Sequence, residues 1–385
     1  MINISKLYCN LSGQSDDLRY HKPGDFGPIV VYNCTARCNL RCVHCYSLSD
    51  ASCAKEELTT EQAMGFLSQL PAAKAPVVLF SGGEPLLRRD LPELLTEAGR
   101  VGLRTVISTN GTLITPKLAA ELAEKRLSYV GISLDGPELF HDAFRQVKGS
   151  FAATLKGIGN CQAAGLRTGL RFTITQANAD QVPAVFDIAV ETGIRRICFY
   201  HLIRSGRARE LNEQALTSEW TRQVMDTIID RTRDLVDQGL VDEVLTVGNH
   251  ADGPYLLVRM QRENHPGFEA AKRLLLSNGG NRVGEKIACV SWDGTVYADQ
   301  FWRNYPLGNV MQTPFAQIWS DTSNPVLHRL RRKDTFADPR CLACKWFKLC
   351  KGNYRFLGED PSDANWHNEP ACYLTDDEIT ILFAA

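Results

Sequence analysis

The chain has 385 residues, 44% hydrophobic and 23% charged, an ordinary globular composition long enough for one large domain and a smaller one. Its 43 basic and 44 acidic side chains leave a net charge of −1, which gives no electrostatic draw toward nucleic acid or an anionic membrane. No apolar stretch reaches bilayer length and the start, Met1-Ile-Asn-Ile-Ser-Lys6, lacks a signal-peptide layout, so a cytoplasmic protein is expected.

Residues 1–27 read as an N-terminal extension. From 28 to 205 short apolar runs alternate with helical patterns, the signature of parallel βα units in an α/β fold. Strands are predicted at 29–33, 77–80, 105–108, 129–134, 169–175 and 196–201. Helices are predicted at 60–69, 90–100, 117–125, 151–164 and 181–191. Residues 206–283 read as a helical linker and loop region: an irregular connection over 204–216, a long amphipathic helix over 219–238, and a structured loop over 247–255. The last part, 284–385, opens on a hairpin signal with Asp293-Gly294 at its turn and ends in a cysteine group.

Thirteen cysteines are many for a compartment in which disulfides do not persist. Seven fall in two groups, for which metal is the natural explanation, while Cys9, Cys34, Cys53, Cys161, Cys198 and Cys289 are scattered. The run Cys38-x3-Cys42-x2-Cys45 supplies three thiolates where a four-iron cluster takes four, so one iron is left for a chelating small molecule. Zinc completed by His44 or Cys34 is the alternative, although Cys34, ending an apolar run, reads as a packed strand-end thiol. The second strand leads into Ser81-Gly82-Gly83-Glu84-Pro85, where glycines let the backbone approach a ligand and Glu84 offers a carboxylate suited to an ammonium group. Strands three and four end in Ser108-Thr109-Asn110-Gly111-Thr112 and Ser133-Leu134-Asp135-Gly136, which by themselves are turn and capping residues.

Taken together, CxxxCxxC followed by Tyr46, and then the GGEP turn, resemble the radical S-adenosylmethionine (SAM) enzymes. The resemblance implies a partial (β/α)6 barrel with a [4Fe-4S] cluster on Cys38, Cys42 and Cys45, whose free iron binds the amino and carboxylate groups of SAM. It places Tyr46, Gly82, Gly83, Glu84, Ser108, Asn110, Ser133, Asp135 and Arg171 around that cofactor. Glu84 would hold the methionine amino group, and Arg171, with Thr173 beside it, would face the SAM carboxylate unless it forms a structural salt bridge. The implied reaction is reductive cleavage of SAM to methionine and a 5′-deoxyadenosyl radical, fed by a low-potential donor of flavodoxin or ferredoxin type. No acid–base catalyst is assigned, since the cofactor carries the chemistry.

Cys341-x2-Cys344-x5-Cys350 and then Cys372 resemble the SPASM-type extension of that family, and imply a small C-terminal iron–sulfur domain. Tyr354 and Asp299 stand where ligands of a further cluster are expected, with only Cys289 kept, so one auxiliary [4Fe-4S] cluster is expected. Structural zinc is the alternative. The stretches 39–49, 247–256, 307–310 and 370–374 look like a tetrapyrrole-modifying branch that acts on 12,18-didecarboxysiroheme in haem biosynthesis. The implied activity is removal of the ring A and B acetates to give Fe-coproporphyrin III. The alternatives are removal of propionates from those rings, as in haem d1 biosynthesis, and the work of a SPASM peptide-modifying maturase. A substrate rich in carboxylates nominates Arg145, Arg204 and Arg207 as contacts, and His250 and His201 are candidates to meet its iron or donate a proton; each is otherwise an ordinary solvated arginine or a loop or core histidine.

Overall fold

The computed structural model describes residues 1–11, 16–20, 26–53, 55–211, 216–353 and 371–380. Its strands are β1 (Ile2–Asn3), β2 (Ile29–Thr35), β3 (Val77–Gly82), β4 (Arg104–Thr109), β5 (Tyr129–Ser133) and β6 (Thr168–Ile174), then β7 (Arg196–His201), β8 (Glu243–Val247), β9 (Ile287–Val290), β10 (Thr295–Tyr297) and β11 (Gly308–Asn309). They form one sheet in the order β1-β8-β7-β6-β5-β4-β3-β2-β9-β10-β11. All six predicted strands are present, and they pair in parallel from β2 through β7. The order never returns on itself, which is the open barrel expected, extended by a parallel strand at each side: β8 beside β7 and β9 beside β2.

Burial explains the pattern in β2. With β3 and β9 as parallel neighbours, residues 30–35 are buried on both faces, so the strand reads as a nearly continuous apolar run. Tyr32 packs against Phe66 and Phe80, with ring centroids 5.1 and 5.9 Å away. Helix starts are fixed locally. Thr59 and Gln62 form a reciprocal capping box before Thr60–Gln69, and Thr115 caps Pro116–Glu124, with proline at the position that needs no N–H.

Two stretches differ from the sequence reading. The region after β7 contains β8, whose five residues follow the helix Ser218–Asp237. The presumed loop 247–255 turns helical at Asp252, beginning Asp252–Arg262; Pro254 falls in the first turn, where a missing N–H breaks no bond. The N-terminal β1 pairs antiparallel with β8 and covers its edge. No helix among the described residues is long and apolar enough to cross a membrane.

The C-terminal segment docks on the barrel side through Arg222, which donates to both Glu378 oxygens at 2.8 and 2.7 Å and to the Tyr373 carbonyl at 3.2 Å. Hydrogen bonds from Arg222 hold the Glu378 carboxyl at about 2 instead of 4.5. A carboxyl whose pKa falls on folding stabilises the fold above its unfolded value, and the contribution is lost as pH drops through the folded value. Amide-exchange protection of residues 371–380 is therefore expected to decline between pH 4.5 and about 2, with the step absent in Arg222→Gln. The same decline in the variant would show that the pair does not hold this segment.

Candidate active site

The C-terminal ends of β2 through β7 meet at a cavity of about 170 Å³ lined by Cys38, Cys42, Cys45, Glu84, Ser133 and Arg171, among others. The loop after β2 brings the three thiols to one side of it. That loop is held from several directions. The Cys38 N–H donates to Asp50 O at 3.1 Å, while Arg207 donates to the carbonyls of Cys42 and Ser49, both at 2.8 Å. Arg207 thus clamps the cysteine loop rather than facing open space. Gly82 and Gly83 also serve that loop. The Gly83 and Glu84 N–H groups donate to Thr35 O and Arg37 O, both at 2.8 Å. A Cβ on Gly83 would lie 2.1 Å from Arg37 O, so the close approach these glycines permit is to the loop's own backbone.

Three sulfurs on one loop facing one cavity suit an iron–sulfur cluster, and hydrogen bonds are already aimed at them. The Leu40 N–H points at Cys38 Sγ (3.4 Å), and the Arg145 guanidinium at Cys42 Sγ (3.4 Å). Burial pushes the Cys38 thiol up to about 12, so metal must displace a proton there. Arg145 is itself buried and paired with Asp135 at 2.5 Å. Burial alone would raise the Asp135 pKa, but Arg145, His44 and His141 bring it below the ordinary carboxylate value. Asp135 and Arg145 therefore form one charged unit under Cys42, and Arg145 stands apart from the larger cavity described below.

Glu84 is almost fully buried and accepts from Thr109 Oγ1 (2.6 Å), Asn110 N (2.8 Å) and Leu86 N (3.1 Å). Burial raises its pKa and these donors oppose the shift, fixing the carboxylate at the cavity wall. Asn110 uses its side chain to hold Asn39 of the cysteine loop at 2.9 Å. Tyr46 donates to Asn33 Oδ1 at 2.9 Å and meets Phe301 edge-on. Ser108 and Thr173 line the same cavity, as do Gln300 and Phe301, which no sequence motif signalled. His44 stacks on Phe144, and Cys34 is fully buried with its thiol toward Ser81 O at 3.4 Å, so it lies inside the sheet. Arg204 lines neither this cavity nor the next.

A second cavity of about 670 Å³ occupies the barrel interior and shares Arg171, Tyr200 and Leu79 with the first. His250 lines it, and burial holds that imidazole neutral. His201, on the first cavity's wall, pairs with Asp252 at 3.0 Å, and Asp252 accepts from Tyr373 Oη at 2.7 Å. A continuous polar chain thus joins the cavity to the neighbour of Cys372. Burial, followed by the charges of Cys372, Cys341 and Cys344, drives the Cys350 thiol well above its usual value. Arg340 points at Cys372 Sγ (3.5 Å) and the Trp346 N–H at Cys344 Sγ (3.4 Å). Four thiols with such donors fit a closed cluster. Asp299 instead caps a turn, accepting from Phe301 N and Trp302 N at 2.7 and 3.1 Å, beside a core built on the buried Trp302. Tyr354 lies outside the described residues.

The Radical SAM superfamily profile matches residues 32–189, and that of SPASM, an iron–sulfur cluster-binding domain, matches 282–345. The chain is 47% identical to the Fe-coproporphyrin III synthase of Methanosarcina barkeri, over 98% of this chain and 99% of that protein. It is 36% identical to the pre-heme d1 synthase of Dinoroseobacter shibae, over 90% and 86% of the two chains. Among solved structures, native anSMEcpe with bound AdoMet superposes with a TM-score of 0.67 at 19% identity, covering 88% of this chain and 93% of that one, a likeness of fold. Membership of these two families implies a SAM-ligated [4Fe-4S] cluster and an auxiliary iron–sulfur cluster. The chain belongs to the radical SAM superfamily, as an enzyme with a C-terminal SPASM domain.

Proposed function

We propose that this enzyme removes the acetate side chains of rings A and B of 12,18-didecarboxysiroheme to give Fe-coproporphyrin III. The observation that carries this reading is the 47% identity to a Fe-coproporphyrin III synthase across essentially both full chains. The barrel interior agrees with it, because a cavity of about 670 Å³ lies within the ~300–1,000 Å³ of small-molecule sites. Cys38, Cys42 and Cys45 hold the SAM-binding cluster, and Cys341, Cys344, Cys350 and Cys372 the auxiliary one. When bound, the first cluster with SAM supplies a 5′-deoxyadenosyl radical, its electron coming from a flavodoxin- or ferredoxin-type donor.

The protein's own residues position and shield. Glu84, oriented by Thr109 and Asn110, takes the ammonium of SAM. Ser133 lines the cofactor cavity, and Arg171 and Tyr200 stand on the wall that it shares with the larger one, so a substrate hydrogen presented past Arg171 reaches the radical. The test is the product mass after anaerobic incubation with didecarboxysiroheme, SAM and a strong reductant. Loss of the elements of two acetic acid molecules is expected; loss of propionate instead would move the enzyme to the haem d1 type, and an unchanged macrocycle would refute both.

A further inference from the structure

The end of the sheet opposite the cysteine loop carries charge that the cofactor site does not use. Arg104 and Arg196 begin β4 and β7, and Arg167 immediately precedes β6, so parallel pairing gathers all three at one rim. Arg19 joins them from the N-terminal segment. The acid in their midst is Glu243, the first residue of β8, which pairs with Arg19 at 3.0 Å, Arg196 at 3.1 Å and Arg167 at 3.6 Å. Arg104 makes no ion pair among the described residues. All four arginines line the 670 Å³ cavity. Burial, and then the charges of Arg167, Arg196 and Arg19, push the Arg104 pKa down, with Glu243 opposing the shift.

Two further groups face the same space without partners of their own kind. Tyr129, first residue of β5, is 8% exposed; Arg196 covers its ring at 4.2 Å, and its hydroxyl has no hydrogen-bond partner among the described residues. A buried hydroxyl left unpaired is destabilising, and native structures rarely keep one without use. Arg171, four residues along β6 from Arg167 and hence about 13 Å from it, stacks on Tyr200 at 4.7 Å and has no acidic partner among the described residues. It stands at the junction of the two cavities.

We infer that this cavity binds the tetrapyrrole edge-on, with carboxylates of the non-reacting edge held by Arg104, Arg167, Arg196 and the Tyr129 hydroxyl, and with the reacting edge at Arg171. This inference rests on the tetrapyrrole reading above and adds where and how the macrocycle sits. Guanidinium forks match carboxylates in geometry, and their combined field draws a polyanion into a site that an uncharged macrocycle of the same shape enters without that help. Anchoring at one rim also determines which side chains reach the radical.

The test is an anaerobic absorbance titration of the reconstituted holoenzyme with Fe-coproporphyrin III and, separately, with its tetramethyl ester. Arg104→Ala is expected to weaken binding of the acid about ten- to a hundredfold, the range of a hydrogen bond to a charged group. Arg104→Lys, which keeps the charge, is expected to recover part of that loss, and Tyr129→Phe to weaken binding severalfold. The ester is expected to bind wild type and Arg104→Ala alike. Equal affinity of both proteins for the acid overturns the carboxylate clamp while leaving the tetrapyrrole reading intact. Wild-type protein that binds neither macrocycle removes the tetrapyrrole reading, and the clamp with it.

Discussion

Replacing Gly83 by alanine is expected to strip the SAM-binding cluster from the protein while leaving the four-cysteine cluster in place. The added Cβ would sit 2.1 Å from the carbonyl oxygen of Arg37, and that obstacle is backbone, which cannot swing aside as a side-chain tip can. The chain cannot yield by moving Gly83 either, because its N–H and that of Glu84 are bonded to Thr35 O and Arg37 O. The remaining option is displacement of the loop that begins the Cys38 run. Anaerobically reconstituted variant should fall from roughly eight irons per chain to roughly four, and lose reductive SAM cleavage. Gly82→Ala should behave alike, since Gly82 holds φ +125° and its Cβ would lie 2.4 Å from Thr35 O. Gly65→Ala is the matched control: the helix Thr60–Gln69 leaves nothing within 4 Å of that Cβ, so the change is expected to stabilise by about 1 kcal/mol. A full iron complement in Gly83→Ala would show that the loop tolerates the shift.

The same glycines show how far local sequence reached. Their place after β3 and beside the cysteine run was legible, because strand, turn and ligand spacing are local patterns. Their physical reason was not, since it lies in a parallel register between β2 and β3 that brings Thr35 opposite Gly82. Asp135 and Asn110 tell a similar story. Each was picked out by its position at a strand end, yet Asp135 faces Arg145 and Asn110 holds Asn39. Arg145 and Arg207 were nominated as arginines a polyanionic substrate would need. Apart from Asp135, their partners lie far away in the chain, at the Cys42 sulfur and at the Cys42 and Ser49 carbonyls, which no periodicity can reveal. The basic rim escaped notice for the opposite reason. Arg104, Arg167 and Arg196 are unremarkable singly, and become a group only when the parallel strands place their starting residues side by side. β8 was hidden because five residues after a twenty-residue helix give a weak alternation signal.

Removing Arg145 should affect both stability and redox behaviour. Its guanidinium contacts Asp135 Oδ2 at 2.5 Å and Cys42 Sγ at 3.4 Å, with both carboxylate and guanidinium withdrawn from water. Arg145→Ala would leave a buried carboxylate beside a cluster sulfur with no cation between them, and loss of one partner from such a pair costs about 3–5 kcal/mol. A clear fall in thermal midpoint is the expected result. The redox consequence follows from charge. With the cluster proposed on Cys42, whose sulfur receives the Arg145 hydrogen bond, the cation would favour the reduced state, and its loss should move the midpoint potential to more negative values. The paired change Asp135→Leu with Arg145→Met separates these effects, because it removes the stranded carboxylate as well. Stability is expected to recover most of the way in the pair, while the potential stays below that of the wild type. If spectroelectrochemical titration finds the Arg145→Ala cluster at the wild-type potential, the contact with Cys42 has no electronic role, and Arg145 serves only to neutralise Asp135.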